Sequence, residues 1–183
     1  TYGNRLRSKE DPLKQIAEVI NKTANRGGVI IIPSFAVGRA QSILYYIYQL
    51  KKDGLIPDLQ VFLDSPMAIS ASGLLSKHLG EHRLDKDLCR LVCEGIKYVR
   101  DASESKSLDQ LNVPSIIISA SGMATGGRIL HHLKHYIVNH KNTILFAGYQ
   151  AVGTRGAKLV AGAREVKIHG KNYQVKAEII NLE

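Results

Sequence analysis

Val29-Ile30-Ile31-Ile32-Pro33-Ser34-Phe35-Ala36-Val37-Gly38-Arg39-Ala40-Gln41 reads as a strand, a tight loop and the start of a helix in one unbroken stretch. Val29–Ile32 is short, wholly apolar and β-branched, the pattern of a strand buried on both faces rather than one. Such strands occur in parallel sheets covered by helices on each side. Upstream, Leu13, Ile16, Ala17, Val19 and Ile20 form a helical stripe within Glu10 to Asn25. Asp11-Pro12 starts that helix and Gly27-Gly28 ends it. Downstream, the first helix runs from about Val37 to Lys52, and Leu59 to Leu63 is the next strand. Met67–Leu79 and Leu84–Cys93 read as helices, Ile96–Val99 as a short strand and Ser103–Leu111 as a short helix. Ser115–Ile118 repeats the buried-strand pattern, Gly127–Val138 is helical and Thr143–Ala147 is a strand. After a short helix at Ala157–Val160, Glu165–Ile168 and Gln174–Ile180 alternate about a turn at Gly170-Lys171-Asn172. Strands separated by helices require right-handed crossovers. The expected fold is therefore one α/β domain, Rossmann-like, with a mostly parallel sheet of about five to seven strands flanked by helices. A C-terminal antiparallel hairpin closes it.

In a sheet of this kind, ligands bind beyond the carboxyl ends of the strands. The four segments that follow the longer strands are chemically alike. They are Pro33 to Gln41, Asp64-Ser65-Pro66-Met67, Ser119 to Arg128, and Gly148 to Gly156. All are rich in small or hydroxyl-bearing residues, and Arg39, Arg128 and Arg155 stand where helices begin. Glycine admits a ligand close to the backbone, a helix start offers free N–H groups, and an Arg fork grips a phosphate with two bonds. Taken singly, each loop is equally well a helix cap and a turn. Together they point to an anion-binding crevice. The loops contain no P-loop, no Gly-x-Gly-x-x-Gly and no Gly-x-Ser-x-Gly elbow.

Lys plus Arg total 25 against 16 for Asp plus Glu, a net charge of +9 that favours polyanionic partners. On charge alone, a plain basic surface explains it as well. Hydrophobic residues make up 44%, which suits a globular domain, and no apolar run approaches the roughly 20 residues that span a bilayer. No membrane association and no secretory signal are expected. Cys89 and Cys93 form no Cys-x-x-Cys pattern and read as reduced thiols of a cytoplasmic protein packed on one helical face.

His131 and His135 lie four apart on one expected helix, with His132 between them. That spacing presents two zinc ligands on one face, but no acid completes a His-Glu-x-x-His pattern, so an exposed helix face is the competing reading. Asp64, at a strand end, is either a catalytic carboxylate or an acid that caps the helix at Ser65-Pro66.

Those loop segments, with Thr1-Tyr2-Gly3-Asn4-Arg5 before them, resemble the β-CASP domain of RNA-processing metallo-β-lactamase-fold nucleases. That group includes ribonuclease J-type enzymes and the cleavage-and-polyadenylation endonuclease. The segments run in family order over nearly the whole chain, and Ser121-Gly122-Met123 and Gly148-Tyr149-Gln150 look like the RNA branch rather than the DNA-repair branch.

The resemblance implies a substrate-binding domain spanning 1–183, with 1–8 and 175–183 as connections to a metallo-β-lactamase core outside it. It implies a zinc-dependent ribonuclease that holds two zinc ions through that core's His-x-His-x-Asp-His cluster, which is absent from these residues. No catalytic and no metal-ligating residue is expected within the chain, and the fragment alone is expected to be inactive. The RNA phosphates would meet Ser34, Arg39, Ser121, Gly122, Met123, Gly127, Arg128, Gln150, Gly153 and Thr154, unless these loops brace the core instead. Arg39 has a second reading as a partner of Asp64. The expected partners are RNA and the core, and a homodimer of the full-length protein is compatible with both. The competing function is a nucleotide- or sugar-phosphate-binding α/β module without hydrolytic activity.

Overall fold

Ile30, Ile31 and Ile32 have no exposed surface, and the strand they form, β1 (Val29–Pro33), is buried at every position. A computed structural model describes residues 11–82, 84 and 86–182. The Thr1–Arg5 segment and the expected connection 1–8 lie outside the described residues. β1 is central in a six-stranded sheet of order β3-β2-β4-β1-β5-β8, and every pairing in that sheet is parallel. The other strands are β2 (Gln60–Asp64), β3 (Ile96–Tyr98), β4 (Ser115–Ser119), β5 (Thr143–Phe146) and β8 (Glu178–Asn181). A separate antiparallel pair, β6 (Glu165–Ile168) and β7 (Lys171–Gln174), forms the C-terminal hairpin.

Alternation along the strands sends side chains to two cores. Ile30, Ile32, Val61, Leu63, Ile116 and Ile118 pack with α1 (Pro12–Asn25), α2 (Arg39–Lys52), α3 (Pro66–Lys77) and α4 (Lys86–Glu94). Ile31, Phe62, Ile117, Ile144 and Phe146 pack with α6 (Ile129–Tyr136) and α7 (Arg155–Val160), on the other face. Each fully buried Ile contributes roughly 1.5–3 kcal/mol relative to exposure, so the paired cores are the main source of stability. α5 (Ala102–Ser107) links β3 to β4. Cys89 is buried on α4, Cys93 is half-buried one turn on, and both are free thiols.

Glycine geometry trims the expected helices. α2 begins at Arg39 rather than Val37 because Gly38, at φ 79°, holds a conformation that no helix continues. α6 begins at Ile129 rather than Gly127 because Gly127 has φ 80°. The closing hairpin turns at His169 and Gly170, both at positive φ, as a two-residue loop of the right twist requires. That turn lies just before the expected one at Gly170-Lys171-Asn172. The hairpin stands apart from the main sheet. The hairpin's second arm is Lys171–Gln174, before most of the expected Gln174–Ile180, and Glu178–Asn181 instead returns to pair in parallel with β5 as an edge of the main sheet.

Asp11 caps α1 by accepting from the Leu13 amide at 3.0 Å, and Ser65 caps α3 by accepting from Ala68 at 3.3 Å. Among the described residues, no helix is long and apolar enough to cross a membrane.

Candidate nucleic-acid interface

The chain leaves β1 toward α2 on one face of the sheet and leaves β4 toward α6 on the other. β1 and β4 are neighbours whose chains leave to opposite faces, a topological switch point, which is where sheets of this kind place their ligand crevice at the carboxyl ends. The loops that meet there interlock. A Cβ on Gly122 would come within 2.9 Å of the Phe35 backbone nitrogen, so only glycine lets the β4 loop approach the β1 loop this closely. Gln150, after β5, donates through Nε2 to the carbonyls of Gly122 at 3.1 Å and Gly148 at 3.0 Å. Its Oε1 packs against Gly156, where a Cβ would lie only 1.8 Å away. The Gly156 amide donates to the Met123 carbonyl at 3.0 Å.

Beneath this rim lies a buried ionic network. Asp64 has no exposed surface and accepts from Ser105 Oγ at 2.5 Å, Arg128 Nη1 at 2.6 Å and His132 Nε2 at 2.6 Å. His132, equally buried, donates its other ring nitrogen to Asp109 at 2.8 Å, and Asp109 also faces His135 at 3.3 Å. Burial pushes the Asp64 carboxyl up, but the hydrogen bonds from His132, Ser105 and Arg128 outweigh it and hold Asp64 below its ordinary value. Burial likewise pushes His132 down, and its bonds to Asp109 and Asp64 reverse the sign and raise it. An imidazole that donates from both nitrogens to two carboxylates is held as imidazolium. Arg128 adds bonds to the Val99 carbonyl at 3.1 Å and the Arg100 carbonyl at 2.6 Å. The arrangement is a clamp: it fastens the end of β2, the residues after β3 and α5 to α6 and the Arg128 that precedes it.

The sequence-derived site residues divide by what they touch. Ser34 is buried, with its amide on the Ser119 carbonyl at 2.9 Å. Ser121 Oγ accepts from the Thr125 and Gly126 amides at 3.0 and 3.3 Å and shapes its own loop. Thr154 caps α7 by accepting from Ala157 at 3.1 Å. Gly122, Met123 and Gln150 join the loops to one another. Arg128 is engaged inside the clamp. Arg39, Gly127 and Gly153 are exposed at the rim. Asp64 does not pair with Arg39; its partners are Arg128, His132 and Ser105, and Ser65 takes the cap that Asp64 was a candidate for. Among the described residues no group accepts a hydrogen bond from the Arg39 side chain, which lies beside Gly148.

Sequence reasoning missed the clamp. His131, His132 and His135 read as an exposed face, yet His132 is buried, while His131 packs against His169 with ring centres 4.8 Å apart and planes tilted by 47°. Spacing held the signal: His132 is three residues after Ile129 and four before Tyr136, both on the buried stripe. The strand-end loops also expose the apolar side chains of Phe35 (49%), Met67 (68%) and Val152 (94%). Among the described residues, no group of three His, Cys, Asp or Glu side chains is arranged to hold a metal ion.

Fold and rim together define a class: a doubly wound α/β domain whose strand-end loops interlock at a switch point beside an uncommitted arginine. The model of the Beta-Casp domain matches residues 40–159, and the chain belongs to that family. Ribonuclease TTHA0252 of Thermus thermophilus is 36% identical over 191 residues, covering 100% of this chain and 43% of that protein. Transcription termination factor FttA of Methanosarcina mazei is 32% identical over 195 residues, covering 100% of this chain and 30% of that protein. FttA of Methanocaldococcus jannaschii is 32% identical over 189 residues, with coverage of 100% and 30%. The chain spans less than half the length of these relatives.

Proposed function

We propose that the chain is the RNA-gripping part of a longer zinc-dependent ribonuclease of the cytoplasm, which hydrolyses RNA phosphodiester bonds. The observation that carries the reading is the β1/β4 switch point with the exposed Arg39 beside it, in a member of a family whose relatives include a protein named ribonuclease. The net charge of +9 and the free thiols of Cys89 and Cys93 support a polyanionic partner and a reducing compartment.

In this reading a metallo-β-lactamase core, outside these residues, holds two zinc ions and supplies the hydrolytic chemistry; the described residues offer no ligand set that fits them. The chain's own work is to hold and orient the sugar-phosphate backbone over that core. The phosphates would meet Arg39, Gly127, Gly153 and the loop edges that Ser34, Ser121, Gly122, Met123, Arg128, Gln150 and Thr154 keep in place. The intact protein as a homodimer belongs to the same reading, checked by light scattering.

The test compares the intact protein with the isolated chain on labelled RNA. The intact protein should cleave with zinc and stop on chelation, and the isolated chain should bind weakly and cut nothing. Cleavage by the isolated chain, lost in His131→Ala or His135→Ala, would return a metal site to α6. Nucleotide or RNA binding without cleavage by the intact protein would replace the nuclease with a nucleotide- or sugar-phosphate-binding module.

A further inference from the structure

Beside the crevice, between the β5 loop with α7 and the β6–β7 hairpin, runs an open groove of about 450 Å³. Thr125 and Thr154 line the end shared with the rim, and Lys158, Lys167 and His169 line the rest. Arg155 forms the floor: Nε donates to the Lys167 carbonyl at 2.9 Å and Nη1 donates to the Ala124 carbonyl, tying the hairpin to the β4 loop. The groove is therefore braced on both sides. Its outer cations are uncommitted: Lys158 and Lys167 are exposed, and among the described residues neither side chain has an ion-pair or hydrogen-bond partner. Among the described residues, no Asp or Glu lines the groove. Glu165, two residues along the exposed side of β6, is bonded instead to the Asn172 amide at 3.2 Å.

We infer that this groove is a second phosphate-binding track, carrying the sugar-phosphate backbone of single-stranded RNA away from the crevice over Lys158, Lys167 and His169. The inference rests on the RNA reading above and extends it beyond the strand-end loops. Two properties select the ligand. Small-molecule clefts are lined mostly by apolar and aromatic groups, whereas this groove offers hydroxyls and ammonium groups around Val166, with His169 its one ring. Like charges gathered without counter-charges repel one another, and a polyanion laid along them relieves that repulsion while releasing condensed ions. The groove meets the crevice at Thr125, whose Oγ1 lies 3.1 Å from Ser121 Oγ, so one strand can occupy both without leaving the surface.

The experiment uses the intact protein and labelled single-stranded RNAs of different sequence, with affinity measured across a range of salt concentrations. Lys158→Gln with Lys167→Gln should weaken binding roughly tenfold at low salt and lower the slope of log affinity against log salt by about 1.4, two phosphate contacts' worth. The loss should be alike for every sequence, Lys158→Arg with Lys167→Arg should restore it, and the melting temperature without RNA should not fall. Lys141→Gln removes a free surface cation at the opposite, amino-terminal end of β5 and serves as control. An unchanged slope in the glutamine pair overturns the track while the nuclease reading stands, provided the parent protein binds and cleaves RNA. An equal loss in Lys141→Gln also overturns it, because net charge alone would then account for the effect. Failure of the parent protein to bind RNA overturns both readings together.

Discussion

Asp64 has no exposed surface, yet it is ionised, and its three donors explain why that is tolerable. Breaking a buried pair from one side strands the other charge, which costs more than the pair contributes. Asp64→Asn keeps the shape but leaves Arg128 and His132 short of a counter-charge, so it should destabilise the fold by about 3–5 kcal/mol, read from denaturant unfolding. A loss under about 1 kcal/mol would mean that the clamp is dispensable. The same network sets a pH window. His132 is raised above its ordinary 6.5, so its contribution is complete below 6.5 and fades as pH rises through the folded value. Asp64 is lowered below 3.8, so its contribution is complete above 3.8 and fades as pH falls through the folded value. The network's contribution to stability should be flat between these limits and decline on either side. His132→Gln should lower the whole curve and abolish the alkaline decline; a decline that survives the substitution assigns it to another group. Little of this was readable beforehand. Asp64 follows Val61–Leu63 on a strand, which hinted at burial, but its partners come from α5 and α6, and no local spacing announces a contact across 64 or 68 residues.

At the scale of elements, two glycines with different surroundings separate packing from propensity. Gly28 joins α1 to β1, and a Cβ there would sit 1.7 Å from the Lys141 carbonyl oxygen, a backbone atom with no free end to move aside. Gly28→Ala should therefore cost about 3 kcal/mol, at the upper end of overpacking, by separating β1 from the start of β5. Gly73 lies within α3, exposed, with nothing within 4 Å of its Cβ position. Gly73→Ala should stabilise by about 0.5–1 kcal/mol, because alanine gives up less backbone freedom in a helix. Thermal melts of the two variants test both signs; a destabilised Gly73→Ala would mean that α3 needs the glycine for something outside the described residues. Element existence was legible here because the runs Val29–Ile32 and Ser115–Ile118 are unmistakably two-sided strands. Boundaries were less so. Gly38 and Gly127 fell inside the expected helices, yet where each helix starts depends on their positive φ, which sequence does not state. The closing segment was harder still, since alternation in Gln174–Ile180 suits a hairpin arm and a sheet edge equally. Long-range pairing with β5 decided between them.

For the whole molecule, the parallel sheet and its loop-bearing edge could be foreseen, because buried strands separated by helices leave few topologies. That Ser34, Ser121 and Gln150 gather at one edge follows directly. Which loop residues face outward did not follow, since serines and glycines that shape loops look the same in sequence as those that meet ligands. Arg39 is the residue on which this distinction is sharpest. Arg128 and Arg155 look equivalent to it in sequence, but both are spent on carbonyls or Asp64 within the fold. Arg39 is exposed and has no acceptor among the described residues, with Asp64 already taken by Arg128. Its removal should therefore leave the intact protein's stability within about 0.5 kcal/mol of the parent, as for a surface change away from any network. RNA affinity should fall about fivefold to tenfold, equally for every sequence, because phosphates carry no base identity. Zinc content should not change. Measuring melting temperature, affinity and metal content on the same Arg39→Ala preparation separates the outcomes: selective loss for one sequence makes Arg39 a base reader, and a fall in melting temperature matched by a proportionate fall in affinity makes it a brace. Loss of metal would place its partner in the core instead of the RNA.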